Sequence, residues 1–308
     1  MKRTQGRAYS ALLVSAIGWA LAPVFIRYLT EYYDPYVQSF ARYISAAATL
    51  VPYCLLFYRK ELVRVIGHWR ALVGISLLVV FMQTAWTLAI YHTTATSAQL
   101  IAKLQVPMVI LLSYLVFSEE RSVIRIYRFL LGTLCCFFGV CGVLMRQSGD
   151  TWLPALDLAF ALLIFVDISW AFYIVGSRHT CKDLHPVPMF TIVSVMVSIG
   201  FLPALFLLGD PHQIPHAGAG VGLIAFISGV VSISISHCTF HYAQVRLGAA
   251  FCTTLQLINP LATYLIALPI WPDESMNILQ WIGSAILIAG SVLVVDAQRR
   301  SSRIHRSA

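Results

Sequence analysis

Few residues in this chain can do chemistry, and those few stand where chemistry is costly. Arg42, Lys103 and Asp167 each interrupt a long apolar run. A charge at the centre of a membrane-inserted helix costs about 2.5–3.5 kcal/mol, so such residues are retained for a pairing or a pathway. Gln38 and Arg42, like Gln99 and Lys103, are spaced i, i+4 and share a helix face. Gln83 with Trp86, Asp167 with Trp170, and Gln256 with Asn259 and Thr263 form three further polar faces. Trp19 and Trp170 stand far from the ends of their apolar runs, where tryptophan usually collects. His237 and His241 have the i, i+4 spacing of metal ligands on a helix, but no third ligand accompanies them. These types suit the binding of a polar organic solute: cations for a carboxylate, amides for hydrogen bonds, indoles for a flat or apolar group. The opposing expectation is that the same groups only tie helices together, with Asp167 paired to Arg42 or Lys103.

Catalysis is poorly served. Only Asp210, His212 and His216 gather outside the apolar runs, which makes a membrane enzyme a minor alternative beside a non-transporting receptor. No Gly-rich loop ending in Lys-Ser/Thr is present, so ATP does not drive the protein directly, and no cofactor or metal is expected.

The elements that position these residues follow from composition. Of 308 residues, 59% are hydrophobic and 11% charged, with mean hydropathy +0.78; soluble domains carry about 25% charged residues. Ten spans of roughly 20 residues fall at 9–29, 36–58, 71–91, 97–117, 127–146, 153–175, 187–208, 219–242, 248–270 and 278–296. In lipid the backbone must bond within its own segment, so each is a helix. The first is expected to be an uncleaved helix rather than a signal peptide. Pro23, Pro107 and Pro260 are expected to bend spans 1, 4 and 9. Spans 5 and 10 lack a polar face but repeat small residues, Gly132, Gly139 and Gly142 in one, Gly283 and Gly290 in the other. Those faces mark scaffold helices or a homodimer contact.

The chain is also a duplication. An offset of 151 carries Trp19, Arg27, Pro35, Pro52 and Tyr91 onto Trp170, Arg178, Pro186, Pro203 and Tyr242. It carries Ala98, Leu104, Gln105, Gly132 and Gly139 onto Ala249, Leu255, Gln256, Gly283 and Gly290. Residues 1–150 and 151–308 thus form two repeats of five spans. An odd number of crossings inverts the second copy relative to the first, an arrangement common in secondary transporters. The expected fold is an all-α membrane protein of ten transmembrane helices in two inverted repeats.

The net charge of +8 does not indicate nucleic acid, because alternate loops hold the basic residues. Arg59, Lys60, Arg64 and Arg70, then Arg121, Arg125 and Arg128, then Arg178, Lys182 and Arg246, lie on one side with both termini. Arg27 and Arg146 lie opposite, among Glu31, Asp34, Asp150, Asp210, Asp273 and Glu274. The positive-inside rule puts both termini in the cytoplasm of an inner-membrane protein, and the basic side offers a contact for anionic lipid. Six cysteines lie in spans and Cys181 in a cytoplasmic loop, so they read as packing residues rather than disulfides.

The strings GWALAPVFIRYL and SWAFYIVGSRH, in spans 1 and 6, resemble the signatures of EamA-type members of the drug/metabolite transporter superfamily. So do SAQLIAKLQVPMVILLSYLVFSEE, GTLCCFFGVCGVL and GAAFCTTLQLINPLATYLIALPIWPDE. The resemblance covers residues 8 to 296. It implies ten helices and a central cavity walled by spans 1–4 and 6–9. It further implies secondary transport of a small organic solute, an amino acid or other carboxylate-bearing metabolite, with export favoured; Asp167 and His237 are the residues that would carry protons if protons drive it. The rival it allows is uptake of choline or another cationic or neutral metabolite. Trp19, Gln38, Arg42, Gln83, Trp86, Gln99, Lys103, Asp167, Trp170, His237, Gln256 and Asn259 are the candidate substrate contacts. Pro272-Asp273-Glu274 departs from the pattern, in which an acid follows span 9 directly.

Overall fold

The computed structural model describes residues 2–116, 126–148, 151–154, 156–181, 184–247, 252 and 255–307. Helices dominate: α1 Lys2–Leu29, α2 Pro35–Phe57, α3 Arg59–Ile66, α4 Trp69–His92, α5 Ala95–Ile101, α6 Gln105–Val116 and α7 Tyr127–Val143. A small antiparallel pair follows, β1 Met145–Ser148 with β2 Thr151–Pro154. Then come α8 Leu158–Cys181, α9 Pro186–Leu207, α10 Gln213–His216, α11 Gly218–Ser228, α12 Ser236–Leu247, α13 Asn259–Ala267 and α14 Ile278–Ser307. Eight helical stretches among the described residues are long and apolar enough to cross a membrane, and Tyr127–Val143 is a shorter apolar helix. Large apolar side chains such as Leu13, Ile17, Leu56, Phe137, Phe138 and Leu207 face outward, as expected of a protein solvated by lipid. The start of span 9 and the basic loop holding Arg121 and Arg125 fall outside the described residues, as do Asp150 and Lys182.

Local chemistry sets the helix boundaries. Asp34 caps α2, accepting from the amides of Tyr36 at 2.8 Å and Val37 at 2.9 Å, with Pro35 preset at the first helical position. His185 and Pro186 repeat the device on α9, where His185 Nδ1 accepts from the Val187 amide. Burial pushes the His185 imidazole below its ordinary pKa, which keeps that nitrogen free to accept. Span 6 begins at Leu158 rather than 153, because residues 151–154 pair with β1 instead of entering the helix.

Two of the three expected proline bends become changes of helix type. A proline supplies no N–H to the carbonyl four residues earlier. Pro107 therefore takes the α-helical partner from the Lys103 carbonyl, which accepts from the Gln105 amide instead, and Ala102–Leu104 tightens into a 3₁₀ turn between α5 and α6. Pro260 does the same to Gln256, and Gln256–Ile258 is again 3₁₀. Pro23, by contrast, lies inside an unbroken α1. Between α11 and α12 the chain winds as a π-helix, Gly229–Ile235. Gly229 lacks the side chain that would strike the Arg42 carbonyl of α2.

The glycines of spans 5 and 10 pack against each other. A Cβ on Gly132 would lie 2.6 Å from the Gly290 carbonyl, one on Gly139 2.5 Å from the Leu287 nitrogen, and one on Gly142 2.7 Å from the Gly283 Cα. Numbers rise on α7 as they fall on α14, so the two run antiparallel in backbone contact. Their small faces are therefore used inside the chain and are not free for a homodimer. Elsewhere α4 packs on α8 and α9, α2 on α9, and α1 on α12 and α13. Tyr43, Val79, Phe190, Val193 and Phe201 form the centre of the largest core cluster.

Candidate functional site

The proline-broken turn of span 4 carries Lys103 into the protein, where it is buried and packed against α8. Asp167 comes from α8 with 0% exposure. Neither carboxylate oxygen has a hydrogen-bond partner among the described residues, and Lys103 is the charged side chain that acts on it. No direct ion pair joins them. The two opposite charges thus influence each other without an ion pair, and both Asp167 oxygens leave hydrogen-bonding capacity unused. Buried charges usually are both paired and hydrogen-bonded, so an Asp167 carboxylate without a hydrogen bond marks this part of the interior as a candidate site.

Next to it lies an aromatic cluster. Trp19 and Trp170, equivalent under the duplication, meet edge to face with centroids 6.2 Å apart. His237 stands 5.1 Å from the Trp19 ring and stacks on Phe190 at 4.3 Å, and Phe240 lies 4.8 Å from Trp19. His237 Nδ1 lies 3.0 Å from the Ile233 carbonyl in the π segment. Among the described residues no group of three or more His, Cys, Asp or Glu can hold a metal.

The other candidates are distributed among helix contacts. Arg42 Nε donates to Ser228 Oγ at 2.8 Å, its one hydrogen bond among the described residues, and meets no acid. Gln38 donates to the Tyr91 hydroxyl at 2.7 Å, which in turn donates to the Tyr33 carbonyl. Gln99 donates to the Trp19 carbonyl at 2.8 Å. Asn259 donates to Gln256 Oε1 at 2.7 Å, and Gln256 donates to Ser15 Oγ at 2.9 Å. Gln83 is half-buried on α4 without a hydrogen bond among the described residues, and Trp86 packs between two core clusters. Lys103, Asp167, Trp19, Trp170 and His237 are therefore candidates whose side chains make no hydrogen bond to another span among the described residues, while Gln38, Gln99 and Gln256 make interhelical ties. A shallow cleft bounded by Thr93, Ser97, Asp157 and Phe160 lies elsewhere and is lined by none of the candidates.

Sequence reading missed one network. Glu274 is buried and accepts from the amides of Ala95 at 2.8 Å and Thr96 at 3.0 Å, the start of α5. Arg27 donates to Glu274 and, in a fork, to both Asp273 oxygens at 2.7 and 2.5 Å. Its guanidinium lies 4.9 Å from the Trp271 ring centre. The signal was the Pro-Asp-Glu turn itself, an acid pair opposite a lone arginine.

In Asp210, His212 and His216, the one candidate catalytic group, the Asp210 carboxylate accepts from the His212 amide and His216 Nδ1 lies against the His212 carbonyl, while the Asp210 amide donates to Asp34 Oδ2 at 2.8 Å.

Comparison with known proteins places the whole chain. The model of the EamA-like transporter family matches twice, over residues 6–145 and 157–296. An uncharacterized transporter of Haemophilus influenzae is 23% identical over 287 residues, covering 89% of this chain and 92% of its own. One from Archaeoglobus fulgidus is 23% identical over 304 residues, covering 96% and 99%. A protein crystal structure superposes with a TM-score of 0.65 at 14% identity, covering 97% of this chain and 99% of that one, a likeness of fold. With two copies of the family model filling its length, the chain belongs to the EamA-like transporters, within the drug/metabolite transporter superfamily.

Proposed function

We propose that the protein is a secondary active transporter that moves a small carboxylate-bearing organic solute, an amino acid foremost, across the inner membrane by alternating access. Export is the favoured direction. In this reading ten spans form two inverted repeats, residues 1–150 and 151–308, with both termini in the cytoplasm. The helix pairings support it. Under the offset of 151, α4 against α8 exchanges with α12 against α1, while α2–α9 and α7–α14 each join an element to its own copy. Trp19 meeting Trp170, and Gly132 and Gly139 meeting the segment of Gly290 and Gly283, are what a two-fold relation between copies produces. A homodimer through spans 5 and 10 would use their outward faces, where Leu130, Leu134, Phe137 and Phe138 are exposed.

The unjoined charges of Lys103 and Asp167 carry the substrate reading. A zwitterion bridges them, carboxylate on Lys103 and ammonium on Asp167, and supplies the hydrogen bonds the Asp167 oxygens lack. Trp19 and Trp170 then contact its side group, and Arg42, Gln83 and Asn259 extend the polar wall. If protons drive transport, Asp167 and His237 carry them.

The aromatic cluster favours a second reading, a choline-like or other cationic metabolite held by cation–π contact. A thermal-shift screen of amino acids, choline and sugars on the detergent-purified protein, followed by flux in liposomes, separates the two. Stabilisation by amino acids that disappears in Lys103→Ala supports the first. Stabilisation by choline that survives or improves in Lys103→Ala replaces it with the second.

A further inference from the structure

The linker between α2 and α4 is a basic amphipathic helix whose outer surface stays exposed among the described residues. Leu62 and Val65 seat α3 against the bundle, where α9 is its neighbour. Val63 and Ile66 point away from that seat, and Val63 keeps 67% exposure. Trp69 extends the apolar strip at 52% exposure, and Leu56 and Phe57, just before the helix, are exposed as well. Arg59, Lys60, Arg64 and Arg70 border the strip and are all exposed. Among the described residues none of the four has an ion pair, and Arg70 lies over Trp69 at 5.6 Å.

The duplication supplies an internal comparison. The offset of 151 carries residues 59–70 onto 210–221, which make the same connection in the second repeat with no lysine or arginine. Turning the chain between a second and a third span therefore needs no cation. Setting topology needs cations, but it does not need Val63, Ile66 and Trp69 exposed beside them. A strip of apolar side chains edged by four cations that outnumber the one acid of the helix, Glu61, matches the layers of a lipid leaflet, acyl chains against the strip and phosphates against the edge.

We infer that α3, with Trp69 and Arg70, is a binding site for anionic phospholipid. The headgroup lies on Arg59, Lys60, Arg64 and Arg70, and the acyl chains lie along Val63, Ile66 and Trp69. Occupation of the site holds α3 on α9 and so stabilises the folded protein.

The test compares the full chain in nanodiscs of phosphatidylcholine with nanodiscs containing phosphatidylglycerol. The wild type is expected to melt several degrees higher with phosphatidylglycerol, a gain that salt diminishes. The variant R59Q/K60Q/R64Q/R70Q should melt like wild type in phosphatidylcholine and lose the gain. An equal gain in variant and wild type, or none in wild type, overturns the proposal. Should the variant fail to fold, a photoreactive residue at Val63 gives an independent reading in the otherwise native chain. Preferential adducts with phosphatidylglycerol uphold the site. Adducts with a second copy of the chain, or with both lipids alike, refute it.

Discussion

The side-chain amide of Gln99 donates to the main-chain carbonyl of Trp19 at 2.8 Å, and that carbonyl is the one Pro23 leaves without a helical partner. An N–H at position 23 would normally bond to the carbonyl of residue 19; proline has none. In lipid an orphaned carbonyl costs several kcal/mol, and the amide from α5 removes that cost. At this proline α1 stays unbroken, whereas spans 4 and 9 tighten before Pro107 and Pro260.

Replacing Gln99 with leucine should therefore destabilise the protein by about 1–3 kcal/mol, the cost of an unsatisfied buried acceptor. The loss should shrink in a Pro23→Ala background, because an alanine N–H restores the helical bond to Trp19. Thermal melts of the four proteins in one detergent give the cycle. Strictly additive losses would mean that the amide does not serve this carbonyl.

Arg27, Asp273 and Glu274 tie α1 to the start of α5 through the loop between spans 9 and 10. Glu274 is fully enclosed, so removing its cation leaves a buried charge held by two amides alone. Arg27→Met is expected to cost about 3 kcal/mol, seen as a lower melting temperature. The double variant Arg27→Met/Glu274→Met should cost less than the two single losses summed. A melting temperature unchanged in Arg27→Met would show the network to be incidental.

Helix positions, the duplication and the family were legible in the chain because each rests on patterns that repeat over many residues. The roles of individual amides were not. Gln38, Gln99 and Gln256 look alike along the sequence, and only their cross-helix partners, Tyr91, the Trp19 carbonyl and Ser15, separate a structural tie from a binding group. Thr151–Pro154 is apolar enough to read as the start of span 6, and its pairing with Met145–Ser148 leaves no local signal. The helix therefore begins five residues later than the pattern, at Leu158 rather than 153. Glu274 was noticed as an irregularity, but its partner Arg27 lies 247 residues away.

The α7–α14 contact yields a sharp contrast between glycines. A Cβ at Gly139 would stand 2.5 Å from the Leu287 nitrogen and 2.7 Å from its Cα, backbone atoms that cannot turn aside. At Gly74 a Cβ would meet nothing within 4 Å. Gly139→Ala should cost about 1–3 kcal/mol by overpacking, whereas Gly74→Ala should be neutral or slightly stabilising in its helix. Melting temperatures of the two purified variants decide it, and equal behaviour would argue against close α7–α14 packing.

Lys103 and Asp167 separate stability from transport. Removing either one strands its opposite charge in the interior, so Lys103→Met and Asp167→Asn should each lower stability, by up to about 3–5 kcal/mol for a buried charge left uncompensated. Removing both leaves no charge to strand, so Lys103→Met/Asp167→Leu should melt closer to wild type than either single variant. The same double variant should move no solute in liposomes, since the groups proposed to receive the carboxylate and the ammonium are gone. Near-native melting with absent flux is the combination that a site for a zwitterion requires. A double variant that still transports would remove the pair from the pathway and leave the Trp19–Trp170 cluster as the place where solute binds.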